Sequence, residues 1–147
     1  MYFQMIYRSR CDAEGSRSAM LRSIVAASER NNAQDGITGF LLFDKIHFMQ
    51  VLEGEKCDVL KAFDRIASDP RHSEIVVLSQ REVTHRAFPE WAMGGVIRSD
   101  EVSRMFDAHG WSNDAGAALS ADDLVALAVD VAAWETDRAT RRGLSGH

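Results

Sequence analysis

Between Tyr2 and Tyr7 the chain is rich in aromatic and branched residues, and alternation sets Phe3, Met5 and Tyr7 on one face, the period of a β-strand. From Ser16 to about Asn32 the period lengthens: Leu21, Val25, Ser28 and Asn32 recur at helical spacing with Ile24 beside them, and the Asn31-Asn32 pair predicts the end of that helix. Asp35-Gly36 supplies a turn into an extended run, Ile37 to Phe43, and a short turn at Asp44-Lys45 leads to a second, His47 to Glu53. The two runs read as a hairpin, with Phe48, Gln50 and Leu52 on one face. After Gly54, Val59, Leu60, Phe63, Ile66 and Ala67 form the core face of a second helix that Asp69-Pro70 terminates. Ile75 to Ser79 predicts a fourth strand and Ala92 to Ile97 a fifth, after a loop carrying Pro89 and Trp91.

The order strand, helix, strand, strand, helix, strand, strand predicts an α+β fold, a ferredoxin-like β-α-β-β-α-β-β sandwich. Right-handed crossovers place both helices on one sheet face, so the opposite face needs a cover. The last third of the chain supplies it. Ser99 caps a short helix carrying Val102, Met105 and Phe106 that stops at Gly110, and Ser120 with Asp123 opens a longer one with the stripe Leu124, Leu127, Ala128, Val131 and Trp134. Arg138, Arg141 and Arg142 suit the negative end of that helix dipole, and Gly143 to His147 reads as a frayed tail. Residues 1–97 and 98–147 thus read as an α+β unit and a helical extension packed on its sheet.

Gln50 is the residue this pattern accommodates worst. Its amide lies between Phe48 and Leu52 on an apolar face, where an unpaired amide costs about 1–3 kcal/mol. Tyr7 raises the same question beside Phe3 and Met5, and a Tyr-Gln pair is the simplest answer. Asn32 adds a second amide at the end of helix 1, and helix 2 adds a flank of Ala62, Arg65, Ile66 and Asp69, followed by Arg71 and His72. An Arg65-Asp69 ion pair on the surface is the plain alternative for those two residues. Taken together, these side chains outline a slot between two helices, apolar in its walls and lined with amide, guanidinium and imidazole groups, suited to a planar heterocycle bearing carbonyls and ring nitrogens.

The chain has 147 residues, 46% of them hydrophobic and 27% charged, with two prolines and a net charge of -5, so it reads as one folded unit with no excess of cations for nucleic acid or an anionic membrane. Cys11 and Cys57 form neither a CxxC motif nor a zinc half-site, and neither a secretory leader nor an apolar run of roughly 18 residues is visible. A cytoplasmic location is therefore expected. His47, His72, His85, His109 and His147 are scattered, and no phosphate loop or Ser-His-Asp constellation appears, which weakens the case for a small acylphosphatase-like enzyme. A regulatory domain that binds a metabolite in the slot is a further alternative.

The segments Ile6-Tyr7-Arg8-Ser9, Asn31-Asn32-Ala33-Gln34-Asp35-Gly36-Ile37-Thr38-Gly39, Phe48-Met49-Gln50-Val51-Leu52-Glu53-Gly54, Arg65-Ile66, Asp69-Pro70-Arg71-His72 and Phe88-Pro89-Glu90-Trp91-Ala92-Met93 together resemble a BLUF domain in order and spacing. The resemblance runs from about Met1 to Ile97. It implies a blue-light photoreceptor, without enzymatic activity, that holds a flavin non-covalently between the two helices: usually FAD, with FMN and riboflavin sharing the same ring. It further implies that Tyr7 donates an electron and a proton to the excited flavin, and that Gln50 lies between Tyr7 and the ring. Asn32 would hold the uracil-like edge. Arg65, Asp69, Arg71 and His72 would lie near the pyrimidine side and the flavin side chain, and Ser28, Ile24 and Phe48 would form walls. Trp91 and Met93 match a switch segment on strand 5 whose side chains exchange places near Gln50; Ala92 stands where Ser is commoner. Residues 98–147 are too short for a cyclase or phosphodiesterase output domain, so the resemblance implies signalling to a separate protein partner, through strand 5 and the C-terminal helices, from a homodimer or higher oligomer.

Overall fold

A computed structural model describes residues 1–111 and 119–145, with side chains through residue 140. The elements are β1 (Tyr2–Cys11), α1 (Arg17–Asp35), β2 (Thr38–Phe43), β3 (His47–Gly54), α2 (Lys56–Ala67), β4 (His72–Val83), β5 (Gly94–Ile97), α3 (Asp100–Ala108) and α4 (Ala121–Ser145). They form the expected α+β sandwich on one five-stranded sheet of order β4-β1-β3-β2-β5. β1, β2, β3 and β4 pair antiparallel, whereas β5 joins the edge of β2 in parallel.

Alternation along β1, β2 and β3 divides the core in two. Phe3, Met5, Tyr7, Leu41, Phe43, Phe48 and Leu52 point to the side covered by α1 and α2. Ile6, Phe40, Leu42, Met49 and Val51 point to the other, where Val102 and Phe106 of α3 and Leu124, Leu127, Ala128 and Val131 of α4 cover them, as the sequence predicts. The central strands β1, β2 and β3 are therefore buried on both faces and read as nearly continuous apolar runs broken only by a few polar residues. The Ser99 and Ser120 hydroxyls accept from the backbone N–H groups of Val102 and Asp123, and Gly110 ends α3 with φ +82°, so these predicted boundaries hold.

Several boundaries move. α1 runs past Asn32 to Asp35, because Gly36, at φ +67°, takes the left-handed stop. β1 extends to Cys11, where it pairs with the first residue of a β4 that is twelve residues long rather than five. As an edge strand, β4 exposes Val76 and Val77 in succession and has no single buried face to give it an alternating pattern. β5 begins only at Gly94, which leaves Trp91, Ala92 and Met93 in the preceding loop. Gly143 to Ser145 continue α4 rather than fray, and Arg138 lies over the Trp134 ring, 5.1 Å from its centroid, and pairs with Glu135 instead of capping the helix. The Arg141 and Arg142 side chains, and residues 146–147 of the predicted tail, lie outside the described residues.

Two predicted strands approach so closely that side chains are excluded: a Cβ on Gly39 would lie 2.0 Å from the Val51 carbonyl oxygen and 3.3 Å from Met93 Cε. The loop before β5 is thereby seated directly on bare backbone.

If α4 is an integral cover of the sheet, Leu127→Ala, at a fully buried position, lowers unfolding free energy by about 2–5 kcal/mol. Chemical denaturation measures this.

Candidate functional site

Tyr7 and Gln50 are directly opposed across β1 and β3. The Tyr7 hydroxyl donates to Gln50 Oε1, and Gln50 Nε2 donates to Met93 Sδ at 3.2 Å, so the predicted Tyr-Gln pair exists and continues into the loop before β5. Both residues are 2% exposed, which makes these partners obligatory rather than incidental. Burial, reinforced by the Asp69 charge, pushes the Tyr7 phenol well above its ordinary value. It therefore stays neutral and keeps its proton to donate. The edge of the Phe63 ring, 5.5 Å away between centroids, fixes the phenol laterally.

Above this floor is a cavity lined by Ile24, Ala27, Ser28, Asn31 and Asn32 of α1, and by Arg65, Ile66, Asp69, Arg71 and His72 from α2 and the turn into β4, with Leu41 and Phe48 beside Tyr7 and Gln50. The α1 residues fall at helical spacing on one side, which explains how one helix presents apolar, hydroxyl and amide groups together. Asn32 Nδ2 donates to the Ala92 carbonyl at 2.9 Å; among the described residues nothing donates to its Oδ1. His72 Nε2 lies 2.6 Å from the Ile66 carbonyl, which can only accept, so that nitrogen carries a proton; in the neutral ring Nδ1 then accepts from the Ser9 hydroxyl at 2.7 Å. At the mouth, Arg71 Nε donates to both Asp69 oxygens at 3.0 Å, and its Nη1 reaches Ser23 of α1 at 3.5 Å.

The structure thus brings Tyr7, Ile24, Ser28, Asn32, Phe48, Gln50, Arg65, Asp69, Arg71 and His72 to one slot and sets Met93 on Gln50. Trp91 is separate: its ring lies tilted against Phe40 on the opposite sheet face, with ring centroids 5.2 Å apart. Arg65 and Asp69 do not pair with each other; Arg65 lies 3.8 Å from Asp35, because the chain turns after Ala67 and carries Asp69 to Arg71. Sequence reasoning missed Ala27, Asn31 and Leu41. The first repeats the Ile24 position one turn on, the second adjoins Asn32, and the third alternates with Gly39 and Phe43.

The donor set fits a flavin ring. A flat, largely apolar tricycle finds Ile24, Ala27, Leu41, Phe48 and Ile66, and a uracil-like edge finds the amides of Asn31, Asn32 and Gln50 with the Arg65 guanidinium. Among the described residues no His, Cys, Asp and Glu are grouped as metal ligands, and no helix is long and apolar enough to cross a membrane.

Residues 2–94 match the model of the BLUF family, described as sensors of blue light using FAD. The chain belongs to the BLUF family. Residues 2–94 are accordingly a domain of the blue-light flavin-sensor family, and the acylphosphatase-like and metabolite-binding alternatives are not favoured. The blue light- and temperature-regulated antirepressor BluF of Escherichia coli strain K12 is 39% identical over 79 residues, covering 53% of this BLUF chain and 19% of that protein. Photoactivated adenylate cyclase subunit alpha of Euglena gracilis is 36% identical over 84 residues, 57% of this chain and 8% of the cyclase subunit. The chain therefore spans under a fifth of either relative. Among solved structures, the photo-activated state of BlsA has a TM-score of 0.77 at 26% identity, covering 88% of this chain and 94% of that one. The dark state of the BLUF protein BlrB has a TM-score of 0.73 at 29% identity, over 88% and 96% of the two chains.

Hydrogen bonds from Arg71 hold the Asp69 carboxyl below the usual carboxylate range. A lowered folded pKa stabilises the fold above the unfolded value of about 3.9, and that contribution is lost as pH falls through the folded value. With side chains 28% and 34% exposed, the pair contributes no more than about 1 kcal/mol. Wild-type protein should thus lose slightly more stability than Asp69→Asn on acidification from about pH 5 to pH 2, as followed by urea denaturation.

Proposed function

We propose that the chain senses blue light through FAD held between α1 and α2, and that Tyr7, Gln50 and Met93 form the switch. The observation that carries this reading is the buried chain of hydrogen bonds from the Tyr7 hydroxyl through the Gln50 amide to the Met93 sulfur. When bound, the flavin supplies absorption of blue light and an excited ring that accepts an electron and a proton.

Tyr7 is the donor group, because its phenol is neutral and already hydrogen-bonded toward the slot floor. Gln50 is the element that changes. Turning its amide by half a rotation would bring Oε1 to Met93 and Nε2 to Tyr7, and a thioether has no proton to offer an oxygen. The turned amide therefore loses its bond to Met93, and the loop before β5 loses one of its ties. Asn32, with Nδ2 engaged by Ala92, keeps Oδ1 for the N–H of a uracil-like edge. Arg65 and Asn31 would serve the flanking carbonyls, His72, Asp69 and Arg71 would border the flavin side chain, and Ile24, Ser28 and Phe48 would hold the ring faces, all of them lining the slot. The same ring contacts serve FMN and riboflavin; FAD is preferred on the family's description.

Residues 1–97 act in this reading as the sensor and residues 98–147 as the helical relay, supported by the packing of α3 and α4 on the face of β3 opposite Gln50. Output passes to a separate protein rather than to chemistry in this chain, and the chain acts as a homodimer or higher oligomer.

Purified protein is expected to be yellow, to release FAD on denaturation, and to shift its visible flavin band reversibly to longer wavelength under blue light. Colourless protein that takes up no added flavin would refute the proposal. Gln50→Leu should retain flavin and abolish the shift, and Tyr7→Phe should retain flavin without the ordinary photocycle, both read by light-minus-dark absorption spectra.

A further inference from the structure

On the sheet face opposite the slot, Glu53 is fully buried at the end of β3. Its carboxylate collects three donors: Gln4 Nε2 at 3.0 Å and the Ala87 backbone N–H at 3.0 Å on Oε2, and the Phe88 backbone N–H at 2.9 Å on Oε1. Two of these belong to the loop that carries Met93. The loop is therefore tied at both ends, upstream to Glu53 and downstream to the slot through Trp91 O on Gly39 N–H at 3.0 Å, Ala92 O on Asn32, and Met93 on Gln50. Pro89 and Glu90 lie between the ties and Trp91 at the first downstream one, and with Val129, Ala132 and Ala133 of α4 these three line a cavity of about 450 Å³. Glu53 also leads to α4 by a second route: Gln4 Oε1 accepts from Arg81 Nε at 2.8 Å, and Arg81 Nη1 donates to Asp122 in the first turn of α4 at 2.7 Å.

We propose that Glu53 is a positioning residue of the light switch, pinning Ala87 and Phe88 so that displacement of Met93 is taken up by residues 89–92 and delivered to α4 beside Trp91. The proposal rests on the reading of Gln50 as the reorienting group. A carboxylate suits this post because two backbone donors and an amide donor converge on it. Phe88 adds rigidity upstream, its ring stacked 5.6 Å from Phe40 between centroids, and Arg86 donates to the Gly36 carbonyl at 2.8 Å and to Thr38 Oγ1 at 3.0 Å. With Ala87 and Phe88 held, loss of the Met93 tie to Gln50 leaves residues 89–92 as the stretch that adjusts, against the ties of Trp91 to Gly39 and Ala92 to Asn32.

Hydrogen exchange with mass spectrometry on the full flavin-loaded chain, in the dark and under blue light, tests this. In wild-type protein the light-induced difference should fall on residues 89–93 and on 129–136 of α4, and spare the Ala87 and Phe88 amides. Equal light-induced opening at Ala87 and Phe88 would overturn the proposal without recourse to any variant. Glu53→Gln keeps the size of the side chain but turns donors toward donors. It should keep flavin and the spectral shift, lose the α4 difference, move exchange changes to residues 84–88, and alter dark recovery by at least about threefold. An unchanged α4 response in that variant refutes the proposal. Val59→Ala, a cavity under α2 outside the slot lining and outside the relay helices, serves as the stability control, and loss of the α4 response there as well would reduce Glu53 to a structural brace and overturn the role assigned to it. A wild-type chain with bound flavin and no band shift would instead defeat the photosensor reading, and this proposal with it.

Discussion

One side-chain amide, held in a central strand that is buried on both faces, sets the terms for everything around the slot. Gln50 cannot sit among Phe48, Leu52 and Leu41 without partners, and the partners available are a phenol and a thioether. A phenol both donates and accepts, whereas a thioether accepts only, so the amide has one orientation in which both of its ends are satisfied. The asymmetry of those two partners gives the site a defined resting state. The low polarity that makes an unpaired amide costly also keeps the Tyr7 phenol protonated, so one burial constrains both members of the pair.

The two sheet faces divide the labour. On one, α1 and α2 part enough to leave a slot and border it with exposed or half-buried ion pairs, Arg65 with Asp35 and Asp69 with Arg71. On the other, α3 and α4 close completely over Val51, Met49 and Phe40, and the polar groups admitted there, Gln4 and Glu53, are bonded to one another and to a loop. The loop before β5 touches both regions: Met93 belongs to the first core, while Phe88 and Trp91 pack in the second. Passage between faces by a short backbone stretch is possible because Gly39 and Gly94 leave room; a Cβ on Gly94 would lie 2.6 Å from the Trp91 ring.

Much of this was legible in the chain. Alternation in β1, β2 and β3 located the central strands, and Ser99 and Ser120 located two helix starts, because those signals depend on neighbours close in sequence. Tyr7 and Gln50 stood out as polar groups on apolar faces, and the structure joins them. β4 reads as a short strand because an edge strand lacks a buried face, and α1 reads as ending early because Asn32 resembles a stop, although Gly36 provides it. Ala27 and Leu41 carry no chemistry of their own and become part of a site only through position. Glu53 reads as the polar end of a strand, and its role depends on residues more than thirty positions away whose return to it no local pattern reveals. The Arg65-Asp69 pairing failed for a related reason: helical spacing was extended past Ala67, where the helix has already ended.

The opposition of Tyr7 and Gln50 is a property of strand register. Slipping β3 past β1 by one residue would turn Gln50 toward α4 and bring Met49 or Val51 to face the slot, since side chains alternate between faces. Native pairing is thus a condition for the switch, because only this register sets Gln50 against Tyr7. A reversible response to light would therefore report, from within the molecule, that its strands have found their partners.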